Sequence, residues 1–147
     1  MKNTDWLERT ELLLKEEGVK NLNKANVLVV GLGGVGSYAA EFMARAGIGK
    51  MTIIDGDEVD ETNINRQLVA LTTTIGQSKC DIMSQRIHQI NPEIELTVVN
   101  EFLNPERMDE VVAGGFDYVL DCIDSIRPKV TLIKVCSRRK IKLVSSM

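Results

Sequence analysis

Two periods of apolar residues run along this chain, one near 3.6 residues and one near 2, and they take turns. Residues 5–17 place Leu7, Leu12, Leu13 and Leu14 on one rough side and predict a helix, with Gly18 as its stop. Residues 26–30 are a short β-branched run that predicts a buried strand. A small-residue helix follows over 34–46, closed by Gly47, then a second strand over 50–54 that ends in Asp55. Residues 57–74 are polar and irregular, with room for one short helical turn. A helix is predicted over 77–90, where Ile82, Met83, Ile87 and Ile90 fall on period and Asn91-Pro92 stops it. Then come an alternating strand (93–100), a helix opened by Pro105 (105–112), a strand (117–120), a helix (128–139) and a final strand (141–144).

Strands that alternate with helices imply parallel β-α-β units with right-handed crossovers. The predicted class is therefore α/β: a Rossmann-like, doubly wound, mostly parallel sheet with helices on both faces. Ligands of such sheets sit beyond the carboxyl ends of the strands. Asp55, Asp121, Asp124 and a glycine cluster all fall at those ends.

At 147 residues the chain has room for one domain. The near-apolar stretch 27–36 is too short for a membrane span, and the first residues lack a signal-peptide core. Cys80, Cys122 and Cys136 are odd in number and widely spaced, which excludes a disulfide framework and points to a reducing cytoplasm. Charge is unevenly spread: the net −3 combines −10 over residues 1–126 with +7 over residues 127–147. A basic run of this kind meets phosphate or is simply a solvated helix face.

The segment Gly31-Leu32-Gly33-Gly34-Val35-Gly36 is a G-x-G-x-x-G turn directly after a strand and opening a helix. Missing Cβ atoms let an anion approach the backbone, and the free N–H groups of the helix start face it. Asp55 follows Gly36 at the end of the next strand, where a carboxylate accepts from ribose hydroxyls. The turn alone suits NAD or FAD as well as ATP. The residues beyond it argue for ATP. A nicotinamide site calls for an apolar crevice, yet here stand Asp57, Asn63, Asn65, Arg66 and, on the next helix, Lys79. An Arg and a Lys aimed at one site suit a triphosphate. Asp121 or Asp124 is placed to hold Mg²⁺ through one carboxylate.

Taken together, Gly31-x-Gly33-Gly34-x-Gly36, Asp55-x-Asp57, Asn63-x-Asn65-Arg66-Gln67, Lys79 and Asp121-Cys122-Ile123-Asp124 resemble the adenylate-forming family of ThiF, MoeB and HesA, whose domain ubiquitin-activating enzymes share. The resemblance is nearest to its tRNA-modifying dehydratases. That likeness lies in residues 9–13, 90–93, 124–129 and 143–147, and in Ser125 standing where activators of sulfur-carrier proteins usually carry Asn. It implies a site with ATP along Gly31, Gly33, Gly34 and Gly36, Asp55 on the ribose, and Asp57 and Ser125 beside it. Asn63, Asn65, Arg66 and Lys79 would bind and polarise the triphosphate, and Asp124 would hold Mg²⁺. Arg66, Lys79 and Asp124 would be the catalytic set. Arg9 would reach a neighbouring subunit's ATP, hence a homodimer. The implied reaction adenylates a carboxylate, in tRNA or at the C-terminus of a small sulfur-carrier protein working with a cysteine desulfurase. The basic run leans towards tRNA. The family's pattern continues past Met147, so residues 1–147 are expected to be the N-terminal nucleotide-binding part of a longer protein. Two further readings stand beside this one: an NAD-dependent oxidoreductase, allowed by the glycine turn and Asp55, and a non-enzymatic nucleotide-binding or dimerisation module. The three cysteines are expected to be packing residues, His88 to hold no metal, and Trp6 to pin the first helix or an interface.

Overall fold

The structure, a computed structural model, describes residues 5–146. A single 3-10 turn (Asp5–Leu7) leads into α1 (Glu8–Lys24). Then β1 (Asn26–Val30), α2 (Gly36–Arg45), β2 (Lys50–Ile54), α3 (Lys79–Ile90), β3 (Glu95–Val99), α4 (Pro105–Val112), β4 (Tyr118–Asp121), α5 (Ile126–Arg138) and β5 (Lys142–Ser145) follow in order. The strands form one five-stranded sheet in the order β3-β2-β1-β4-β5, and every pairing is parallel. The predicted doubly wound sheet is present, with the order reversing at β1.

Alternation along the strands sorts the core into two layers. Val27, Val29, Met51 and Ile53 face one side, where they meet Ala40 and Ala44 of α2 and Met83 and Ile87 of α3. Leu28, Val30, Ile54 and Val119 face the other side and meet Met108, Val112, Leu132, Val135 and Cys136 of α4 and α5. The central strands are thus apolar on both faces, as a covered parallel sheet requires.

Several boundaries move. The short helical turn expected in 57–74 is Glu61–Asn63, capped by Asp60, whose carboxylate accepts from Thr62 N–H. Helix α5 begins at Ile126 rather than Pro128. Proline is tolerated there because the first-turn N–H groups have no helical partner in any case. The largest correction concerns the first helix. It does not stop at Gly18 but runs to Lys24, since Val19 is buried and Leu22 packs on the core.

The break comes earlier, at Lys15, with φ 62 and ψ 171 inside an otherwise helical segment. That region is essentially open to glycine alone, and a side chain there costs about 1–3 kcal/mol. Replacing Lys15 by Gly relieves the strain, and part of the gain is lost to the greater freedom of the unfolded chain. The expected result of Lys15→Gly is a Tm higher by a few degrees in a thermal melt. Lys15→Ala keeps the Cβ and leaves Tm unchanged.

Candidate nucleotide site

The β1–α2 turn depends on close backbone approach. A Cβ on Gly36 would stand 1.6 Å from the Gly31 carbonyl oxygen, and Gly31 itself has φ +95. Across from the turn, Asp55 uses both carboxylate oxygens on backbone. One accepts from Leu32 N–H and the other from Asp57 N–H, each at 2.7 Å. Asp55 therefore braces the glycine turn against the loop after β2, and each oxygen keeps a second acceptor position for a ribose hydroxyl.

These elements enclose a cavity of about 530 Å³. Gly31, Gly33, Gly34, Asp55, Asp57, Arg66, Lys79, Asp124 and Ser125 are all in its wall. Lys79 opens α3 and is buried; its Nζ lies 3.4 Å from Asp57 Oδ2. Arg66 lies along Gly34, with its Cγ 3.4 Å from where a Cβ would stand. Its Nη1 donates to Asn65 Oδ1 at 2.9 Å and to the Thr62 carbonyl at 3.2 Å. Asp124 is exposed, and its Oδ1 accepts from Ser125 Oγ at 3.4 Å.

Other expected residues fall elsewhere. Asn63 and Asn65 are not in the wall. The Asn63 side chain accepts from Asp60 N–H at 3.0 Å and closes the cap of the 3-10 turn, while Asn65 steers Arg66. Both support the Arg66 loop. Gly36 is buried behind the wall, where it sets the turn. Arg9 is exposed on α1 and away from the cavity. Asp121, one of two candidates for Mg²⁺, is fully buried and its oxygens are taken by Lys129, Ser145 and Ile123 N–H. Of these two carboxylates, Asp124 is the exposed one. The basic run is not one open surface: Lys129 is buried, and Arg138 and Arg139 pair with Asp109, whose carboxyl they hold down to about 2.

Sequence reasoning assigns no role to two residues of the wall. Gln67 is buried over Gly33, and its Oε1 has no hydrogen-bond partner among the described residues. Its place after Asn65-Arg66 was the available signal. Phe102 lies against Gly56, where any Cβ would come within 2.6 Å of the ring, and leaves 72% of itself exposed at the cavity. Nothing in the local pattern marks that loop.

Among the described residues all three cysteines are free, and no group of acidic, His or Cys side chains is arranged to hold a metal. His88 Nδ1 pairs with the Ser84 carbonyl at 2.9 Å. Trp6 is half-exposed beside Arg45 and Arg86. Cys122 faces the cavity, yet burial pushes its thiol up to about 11, and burial pushes Cys80 up to about 12. Thiolate is the reactive form, so Cys122 is ionised to only about one part in a thousand at pH 8. Iodoacetamide labelling followed by mass spectrometry is expected to be slow at both positions at pH 8. It should rise about tenfold per pH unit up to pH 10 at Cys122, ahead of Cys80. Rapid labelling of Cys122 at pH 7 would contradict this.

Comparison with known proteins agrees with this fold. The chain matches the ThiF family over residues 7–147. It is 46% identical over 144 residues to the tRNA threonylcarbamoyladenosine dehydratase of Escherichia coli (strain K12), covering 96% of this chain and 54% of that protein. It is 39% identical over 129 residues to the molybdopterin-synthase adenylyltransferase of Salmonella typhimurium (strain LT2), covering 88% of this chain and 51% of that protein. The crystal structure of the E. coli dehydratase, TcdA, in complex with ATP has a TM-score of 0.94 and 46% identity over 97% of this chain and 58% of that one. The chain spans about half the length of these curated relatives. With its fold, its glycine turn and a match over nearly every residue, the chain belongs to the ThiF family.

Proposed function

We propose that this chain carries the ATP site of a tRNA-modifying dehydratase. In this reading a carboxylate of threonylcarbamoyladenosine in tRNA attacks the α-phosphorus of ATP, pyrophosphate leaves, and an acyl-adenylate forms. The substrate's own nitrogen then attacks the activated carbonyl. AMP departs with the former carboxylate oxygen, and the nucleoside closes a ring with net loss of water. The observation that carries the reading is the convergence of Arg66, Lys79 and Asp124, from three separate segments, on the wall that faces the glycine turn.

The work asked of the protein is positioning and charge neutralisation. Backbone N–H groups of the turn and the start of α2 receive the phosphates. Lys79 is buried and already aligned by Asp57, so little side-chain order remains to be bought on binding. Arg66 supplies a second cation. One free carboxylate beside a triphosphate is the donor set that Mg²⁺ takes, and Asp124 fits it; a bound ion would add further neutralisation of phosphate charge. We assign Arg9 to the ATP of a second copy in a homodimer. Leu12 and Leu13, on the same arm and 71% and 80% exposed, support a partner there.

The adenylyltransferase relative supports a sister reading in which the carboxylate ends a sulfur-carrier protein served by a cysteine desulfurase. Ser125 behind Asp124, and the higher identity to the dehydratase, favour tRNA. A tRNA substrate and free cysteines together favour the cytoplasm. No helix among the described residues is long and apolar enough to cross a membrane.

In the full-length protein, Arg66→Ala and Lys79→Ala are each expected to lower ATP–pyrophosphate exchange on the order of 10²–10³-fold, with an unchanged melting curve for the exposed Arg66. Exchange at the wild-type rate in both variants would remove the adenylation reading. Mass spectrometry of tRNA nucleosides after incubation with ATP then distinguishes the substrates. Loss of water from the modified adenosine supports tRNA; exchange only with a carrier peptide would overturn it.

A further inference from the structure

We propose that Asp121, Lys129 and Ser145 form a buried clamp that positions Asp124 and so sets the affinity for Mg·ATP; this rests on the reading of Asp124 given above. Residues 122–125 must leave β4, carry Asp124 to the cavity and enter α5. A serine at the N-cap ordinarily fixes such an entry by accepting from first-turn N–H groups. Ser125 makes no such bond, and its hydroxyl donates to Asp124 instead. The loop is held from behind.

Asp121 Oδ1 accepts from Ile123 N–H at 3.1 Å, one residue before Asp124. Asp121 Oδ2 accepts from Lys129 Nζ at 2.7 Å and from Ser145 Oγ at 2.6 Å. Lys129 Nζ also donates to the Ser146 carbonyl at 2.8 Å, and Ser146 N–H donates to the Asp121 carbonyl at 3.0 Å. Asp121 and Lys129 thus bracket the loop, one on each side, and tie it to the end of β5. Asp121 is 0% exposed and Lys129 is 6% exposed. A buried pair of this kind gives little or no net stability over apolar residues of similar volume. What it supplies that an apolar pair does not is direction: three hydrogen bonds converge on one carboxylate from a loop, a helix and a strand.

These are positioning residues, and the test separates position from stability. Three measurements are made on the full-length protein: Tm, amide hydrogen exchange of residues 122–125 without ligand, and calorimetric binding of ATP with and without Mg²⁺. Asp121→Leu combined with Lys129→Met removes the clamp and leaves no lone buried charge. It is expected to melt well above Lys129→Met alone. Its 122–125 amides should exchange at least about tenfold faster than wild type, while the sheet does not. Its Kd for Mg·ATP should rise about 10–100-fold, and its Kd for metal-free ATP by less than about twofold. Lys129→Arg should retain wild-type values. Ser145→Ala keeps both charges and secures a folded protein; it should show the same loop and Mg·ATP effects, a few-fold in size. Wild-type loop exchange and wild-type Mg·ATP affinity in the double variant and in Ser145→Ala would overturn the clamp. A wild-type protein whose ATP affinity gains nothing from Mg²⁺ would overturn the metal-ligand reading of Asp124 instead, and the ligand-free exchange judges the clamp in that case too.

Discussion

The tightest constraint in the molecule is the contact between Gly36 and the carbonyl of Gly31, where a single added methyl group would stand 1.6 Å from oxygen. This approach turns the chain at the end of β1 and starts α2 directly above it. The Asp55 carboxylate then fastens the turn from the neighbouring strand by taking Leu32 N–H and Asp57 N–H. The loop so fixed carries Asp57, and Asp57 holds Lys79 at the start of α3. One steric requirement and one carboxylate therefore set the places of the turn, the loop and the buried cation.

Much of this was legible because the physics is local. The glycine spacing, the β-branched runs and the stops at Gly47 and Asn91-Pro92 each act within a few residues, and the sheet they predict is the sheet observed. Errors arose where long-range packing decides. Gly18 reads as a helix stop, yet burial of Val19 carries α1 to Lys24, and the break sits at Lys15, where no breaker residue stands. Asp121 and Asp124 look alike in sequence. They differ because Lys129, eight residues on in α5, and Ser145, at the far end of β5, reach only the first. Asn63 and Asn65 also brace the Arg66 loop, a part in the fold that spacing does not encode. Phe102 comes to the cavity through the approach of its loop to Gly56, which no periodicity reports.

Away from Lys79, buried charge is handled in two different ways. Glu41 on α2 is taken by Arg86 of α3 and Arg45 of its own helix, which hold its carboxyl below the usual range and link α2 to α3. Both arginines remain about half-exposed, so only the carboxylate gives up most of its water. Asp121 and Lys129 are shut away from water on both sides. The desolvation cost of such a pair is high, and geometry is what it gives in return. The contrast fits their places: Glu41 joins two helices on a covered face, whereas Asp121 stands behind the loop that carries Asp124.

The two faces of the sheet also divide the cavity. Val30, Ile54, Met108, Leu103 and Ile123 in its wall belong to the core layer shared with α4 and α5, and they are apolar. Lys79 and the N-terminus of α2 belong to the opposite layer and bring a cation and helix-start N–H groups to the cavity. The reversal of strand order at β1 brings both layers to one opening, since the crossovers on its two sides leave in opposite directions. A nucleotide laid across the turn would set its base against the apolar layer and its phosphates against the charged one. Its orientation would follow from the sorting of strand residues into two faces, the same alternation that is visible in the sequence as a period of two.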